Sequence, residues 1–134
     1  MKISTRGRYG LRALVELATC GEGACVPLRT IAQRHNMSEY YLEQLFGTLK
    51  KAGIVKSVRG AQGGYKLNQS PDNITVEDII RTLEGSLYPV GCLEDENYEC
   101  SAASCQNCNT RPVWEKLYTG VSETLSAIKL SDLY

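Results

Sequence analysis

The sequence predicts a mainly α fold with a small β-hairpin: a winged helix-turn-helix followed by a long C-terminal helix. Three observations predict it. Two segments of helical period flank a short polar turn, Asn36-Met37-Ser38. Directly after them, a glycine-rich tip separates two β-compatible runs. A long amphipathic stretch then closes the chain.

The first helix is expected over 6–19, where Leu11, Leu14, Val15 and Ala18 recur at spacings of three and four. Gly21-Glu22-Gly23 ends it, because glycine takes the left-handed conformation that a helix stop needs. A short second helix is expected over 27–35, with Leu28, Ile31 and Ala32 facing inward and Pro27 in its first turn. Ser38 is a good N-cap for a third helix over 39–52, whose inward residues are Leu42, Leu45, Phe46 and Leu49. Extended segments at 54–58 and 65–67 enclose Arg59-Gly60-Ala61-Gln62-Gly63-Gly64 and form the wing. Thr75-Val76-Glu77-Asp78 reads as a capping box opening a fourth helix to residue 84. Residues 85–109 read as a long irregular loop, a length usually functional or disordered, and its four cysteines favour a loop organised by a ligand. A final helix is expected over 112–127, with Val113, Leu117, Val121, Leu125 and Ile128 as its stripe, widened by Trp114. Ser131 is expected to cap a terminal turn.

The overall charge of zero hides two opposed halves. Residues 1–67 carry 11 Lys/Arg against 4 Asp/Glu, a net of +7. Residues 68–134 carry 4 against 11, a net of −7. This divides the chain into a DNA-binding domain, 1–67, and a sensor region, 68–134. A basic module suggests a polyanion partner. No apolar run approaches the ~20 residues of a membrane span. Met1 to Arg6 has no apolar stretch after its charges, so no secretory signal is expected and a cytoplasmic location is. In that compartment the 6 cysteines read as ligands, redox groups or core residues rather than as disulfides. There is no Ser/His/Asp set and no phosphate loop, and His35 is the only histidine, so no enzyme is expected.

The third helix suits a DNA major groove. Its outward N-terminal residues are Ser38, Glu39, Tyr40, Glu43 and Gln44. Gln pairs with adenine and Glu accepts from cytosine, while Tyr40 and Tyr41 suit phosphate or thymine methyl groups. Lys50, Lys51, Lys56, Arg59 and Lys66 would meet phosphates. Arg59 beside Gly60 at the wing tip suits a minor groove.

The cysteine loop is the second constellation: Cys92-x7-Cys100-x4-Cys105-x2-Cys108. Four thiolates can close a zinc site or hold an iron–sulfur cluster. Only one short Cys-x2-Cys knuckle is present, whereas structural zinc usually uses two. Cys20 and Cys25 lie apart, near the first helix end, and read as core or incidental thiols.

Taken in order, four motifs resemble the Rrf-two family of winged-helix transcriptional regulators. They are Met1-Lys2-Ile3-Ser4-Thr5-Arg6-Gly7-Arg8-Tyr9-Gly10, Tyr41-Leu42-Glu43-Gln44-Leu45-Phe46, Val58-Arg59-Gly60 with Gly63-Gly64-Tyr65, and Ile128-Lys129-Leu130-Ser131-Asp132-Leu133. That family includes iron–sulfur regulators, nitric-oxide sensors and cysteine-metabolism repressors. The resemblance implies a homodimer built on the last helix, a repressor that binds a pseudo-palindromic double-stranded DNA operator. It implies Cys92, Cys100 and Cys108 as ligands of an iron–sulfur cluster, 2Fe–2S favoured and 4Fe–4S the alternative. Arg111 stands where some members have a histidine ligand, and Arg8 where others have a carboxylate. Cys105 is therefore the first candidate for a fourth ligand and His35 the second. In the expected mechanism the cluster orders the loop and so sets the spacing of two recognition helices to ~34–36 Å, one turn of B-DNA. The N-terminal half is equally similar to the cysteine-metabolism repressors, which lack the cysteine loop. They imply the alternative: a zinc or thiol switch, or a cysteine-biosynthesis enzyme as partner.

Overall fold

The computed structural model describes residues 1–100 and 107–134. Helix α1 (Thr5–Thr19) begins on Ser4, whose Oγ accepts from the Arg6 amide. Helices α2 (Leu28–His35) and α3 (Glu39–Lys51) follow. Asn36 turns the chain between them in the left-handed region, φ 51°. Asparagine tolerates that conformation better than most residues. Ser38 then caps α3 as expected, its Oγ accepting from the Tyr41 amide at 3.2 Å.

Strands β1 (Val55–Val58) and β2 (Gly64–Leu67) pair antiparallel, with Val55 opposite Leu67 and Val58 opposite Gly64. The hairpin is tied back to the α1–α2 connection by a reciprocal pair of backbone bonds between Val26 and Tyr65, both 2.9 Å. Gly64 is required there, because a Cβ would strike the Val26 carbonyl and its φ is +158°. Helix α4 (Val76–Glu84) carries the expected capping box: Asp78 N donates to Thr75 Oγ1 and Thr75 N donates to Asp78 Oδ2, each at 3.1 Å. A short helix α5 (Gly91–Glu94) interrupts the loop that sequence patterning reads as irregular throughout. Four residues are too few to show a helical period. Helix α6 (Arg111–Ser126) leads to a terminal turn at Leu130–Leu133. Ser131 does not cap that turn; the N-cap is Lys129, whose amide donates to Asp132 Oδ2 at 2.8 Å.

One core joins α1 to α4 with the hairpin root and the terminal turn. Phe46, Leu14, Leu17, Ile31, Leu42, Leu49, Ile74, Ile79, Leu83 and Leu130 are fully buried in it. The stripe of α1 is rotated from the expected one. Ala13, Leu14, Leu17 and Ala18 are buried, while Leu11 and Val15 pack at the margin. The rotation comes from α4, which crosses α1 at two buried glycines. A Cβ on Gly10 would overlap Leu83 Cδ1, and one on Gly7 would meet Glu84 Oε1 at 2.5 Å. Glu84 uses the gap at Gly7. Its Oε1 accepts from Ser4 N at 2.9 Å, Ser4 Oγ at 2.7 Å and Gly7 N at 3.1 Å. These amides are among those a helix N-terminus leaves unsatisfied. Gly10→Ala is therefore expected to destabilise the fold by about 1–3 kcal/mol through overpacking, despite alanine's better helix propensity; urea denaturation measures it.

Helix α6 joins the rest through a second apolar cluster, in which Tyr118, Leu125 and, just past its end, Ile128 pack on buried Val76, Ile80 and Leu87, and through a polar seam beside it. Ser122 Oγ donates to Glu77 Oε1 at 2.6 Å, and Arg81 Nη2 donates to the same oxygen at 2.7 Å and to Tyr118 Oη at 2.7 Å. The Ser122 hydroxyl, with Arg81, holds the Glu77 carboxyl below its ordinary range. Tyr88, at the start of the loop, stacks on Tyr118 with ring centroids 4.4 Å apart. No residue of α6 is fully buried.

Candidate nucleic-acid interface and cysteine loop

Helix α3 has two unlike faces. Leu42, Leu45, Phe46 and Leu49 enter the core, and this anchoring turns Ser38, Glu39, Tyr40, Glu43, Gln44 and Lys50 outward, all exposed. Tyr40 is the most open of the large hydrophobic side chains among the described residues, 72% exposed. Tyr41 sits at the edge of this face. It is half-buried, meets Tyr9 edge-on at 6.3 Å, and its Oη lies 3.3 Å from Thr5 Oγ1. Its ring joins α1 to α3, which leaves only part of it toward solvent. Glu39 pairs with Arg29 of α2 at 3.8 Å, which offsets one of the two acids on a face proposed to meet phosphates.

On the wing, Lys56, Arg59 and Gly60 are exposed. Lys56 stands directly opposite Lys66 across the hairpin. Like charges in that register disfavour a hairpin on its own, and an anion lying across the strands relieves the conflict. Gly60, φ +114°, lets the tip turn with open space around it. Sequence reading missed Arg6, which lines a cleft with Tyr41, Gln44, Leu45 and Thr48. Its position outside the α1 stripe was the available signal. His35 is accounted for by Glu16, 3.0 Å away, which also takes Arg34.

The cysteine loop leaves α4, passes through α5 and returns at α6. Cys92, Cys100 and Cys108 are half-buried free thiols. Cys105 lies outside the described residues. Arg111 spans the two ends of the loop: its Nη1 donates to the Cys92 carbonyl at 3.4 Å and its amide donates to the Cys108 carbonyl at 3.3 Å. Cys108 Sγ lies 3.2 Å from Thr110 Oγ1. The Thr110 hydroxyl, then the amides of Thr110 and Arg111, draw this thiol below its ordinary range. The donor chemistry of the loop thus suits a thiolate-bound group. The expected convergence of ligands is not seen: among the described residues no three His, Cys, Asp or Glu side chains are grouped to hold a metal ion. The loop would have to draw its sulfurs together to do so. Cys25 is elsewhere, its Sγ 3.6 Å from the Gln62 carbonyl at the wing. Cys20 lies 3.8 Å from Arg34 Nη1. Neither belongs to the loop. No helix among the described residues is long and apolar enough to cross a membrane.

Known proteins are similar to this chain over nearly its whole length. The Rrf2 family model, described as an iron-dependent transcriptional regulator, matches residues 3–134. The chain is 49% identical to the HTH-type transcriptional regulator CymR of Bacillus subtilis, over 99% of this chain and 89% of that protein. It is 38% identical to the HTH-type transcriptional regulator IscR of Aliivibrio salmonicida, over 99% and 77% respectively. Among solved structures, it is similar to CymR, the global cysteine regulator of B. subtilis, with a TM-score of 0.81 at 44% identity, covering 99% of this chain and 95% of that one. It is similar to T. potens IscR with a TM-score of 0.77 at 44% identity, covering 99% and 85%.

Proposed function

This chain belongs to the Rrf2 family of winged-helix transcriptional regulators, not to an enzyme family, and on that footing we propose that it is a homodimeric repressor whose operator affinity depends on an iron–sulfur cluster held by its cysteine loop. One observation carries the DNA reading. The polar N-terminal face of α3 and the basic wing tip are both open to solvent, while the opposite face of α3 is locked in the core. Gln44 and Glu43 read base edges, and Ser38, Tyr40, Lys50 and Lys56 position the duplex. Arg59 enters the minor groove beside Gly60. Arg59→Ala is expected to weaken operator binding about tenfold, with little change in thermal stability; fluorescence anisotropy against duplex DNA checks it.

Cys92, Cys100 and Cys108 would hold the cluster, with Cys105 as the first candidate for a fourth ligand. When bound, such a cluster supplies a link between loop thiolates that oxidation or iron loss breaks. The chain's own residues carry a change in the loop to the DNA-binding head. Arg111 fastens Cys92 to the start of α6. Tyr88 stacks the loop onto Tyr118, and Arg81 and Glu77 pass that contact to α4. Glu84 in turn holds the first turn of α1. A regulator needs only that two states of this path differ in their affinity for DNA.

A second reading is favoured by the 49% identity to CymR. It keeps the operator-binding dimer and assigns the loop a zinc or thiol switch, or a cysteine-biosynthesis enzyme as partner. Protein isolated without oxygen separates the two. Visible absorption with iron and sulfide supports the cluster. Colourless protein with stoichiometric zinc, or with no metal, supports the second reading.

A further inference from the structure

The first turn of α1 closes on the edge of α3 that carries the base-reading residues. Thr5 and Tyr41 meet through their hydroxyls, and Tyr9 braces the Tyr41 ring. Between the two helices opens a cleft of about 340 Å³, with Arg6 on one wall and Gln44 and Thr48 on the other. Arg6 is exposed and has no ion-pair partner among the described residues. Arg29, Arg34 and Arg81 are engaged by Glu39, Glu16 and Glu77, and Arg8 and Arg12 lie over the Tyr9 ring, whereas Arg6 is the arginine that lines this cleft. The carboxylates of α3 are Glu39, paired with Arg29, and Glu43, exposed beside Gln44, and Glu84 of α4 is taken up by Ser4 and Gly7.

We propose that Arg6 is a phosphate clamp for the DNA strand bordering the groove that α3 enters. The proposal rests on the operator-binding reading above and adds a contact outside α3 and the wing. A guanidinium presents a planar fork that matches two phosphate oxygens. Placed one wall away from Gln44, it fixes the depth and tilt at which α3 sits. Tyr41, half-buried between the helices, sets that separation, so Arg6 reaches phosphate only when Gln44 reaches a base edge. Arg6 thus positions the reader without reading sequence itself.

The test uses the full-length protein and a duplex that the wild type selects from a randomised pool. Affinity is measured across a series of potassium chloride concentrations. Arg6→Ala is expected to weaken binding about tenfold, the loss of a charge-assisted hydrogen bond. It should also make the log–log salt slope shallower by about 0.9 for each subunit engaged. Arg6→Lys, which keeps the charge, should retain the wild-type slope. A methylphosphonate scan adds a reading that a merely structural role would not move. At the contacted position, the neutral linkage should weaken the wild type and leave Arg6→Ala unchanged. Equal affinity and slope for Arg6→Ala and wild type would overturn the clamp while leaving the DNA reading intact. Failure of the wild type to retain any duplex would overturn both.

Discussion

Leu117→Asp is expected to turn the protein into a folded monomer whose operator affinity falls about 100-fold or more. The reason lies in the unequal faces of α6. One face carries Tyr118 and Ser122 against α4. The other shows Val113 and Leu117 to solvent, 56% and 40% exposed, in an apolar groove shared with Gly120, Val121 and Leu125. Contiguous exposed apolar surface of this kind marks an interface. An aspartate at its centre places a charge where a second copy would bury it, a large penalty when no partner group receives it. Within one chain the same side chain stays in water, so the head should keep its melting behaviour. Losing the pairing removes the gain from binding two half-sites at once, which spans roughly 10²–10⁴. Sedimentation velocity reads the assembly and anisotropy reads the affinity. A Leu117→Asp protein that still sediments as a dimer would place the interface elsewhere.

Cys108→Ala is expected to remove iron, sulfide and visible absorption from anaerobically purified protein, while circular dichroism stays at the wild-type level. The thiol is half-buried and touches Thr110, so its loss leaves no large cavity. Arg111 keeps its bond to the Cys92 carbonyl, which holds the loop ends together without the sulfur. The fold and the proposed ligand are therefore separable at this position. Cys25→Ala is the matched control: its thiol lies at the wing and should leave metal content unchanged. Wild-type iron retained by Cys108→Ala would remove this residue from the ligand set.

What could be read from the order of residues was whatever depended on near neighbours. The Ser38 cap, the Thr75–Asp78 box, the inward residues of α3 and the hairpin each follow from a period or from a cap three residues away, and each stands in the structure. What escaped depended on distant partners. Gly7 and Gly10 look like weak points in a helix until α4 is laid across them, 73 or more residues later in the chain. Glu84 reaches back to Ser4, a separation of 80 residues. Arg6 and Tyr41 fall on either side of a cleft that exists only once α1 and α3 have met. The cysteine loop was conspicuous by its composition, but spacing alone does not bring sulfurs together. Cys105 lies outside the described residues, and the remaining three are not grouped.

The stitch between Val26 and Tyr65 has a bearing on how tightly an encounter can be held. An arm that hangs free must lose its wandering at the moment of contact, and that loss is subtracted from the affinity. Here the root of the arm is already sewn to the body by two backbone bonds, and it relinquished that freedom when the polypeptide first collapsed. The tip itself is closed by Gly63 N donating to the Gly60 carbonyl at 3.0 Å. Arrival at DNA then resembles a key rather than a rope finding a slot, and much of the arm's ordering cost belongs to folding instead of recognition.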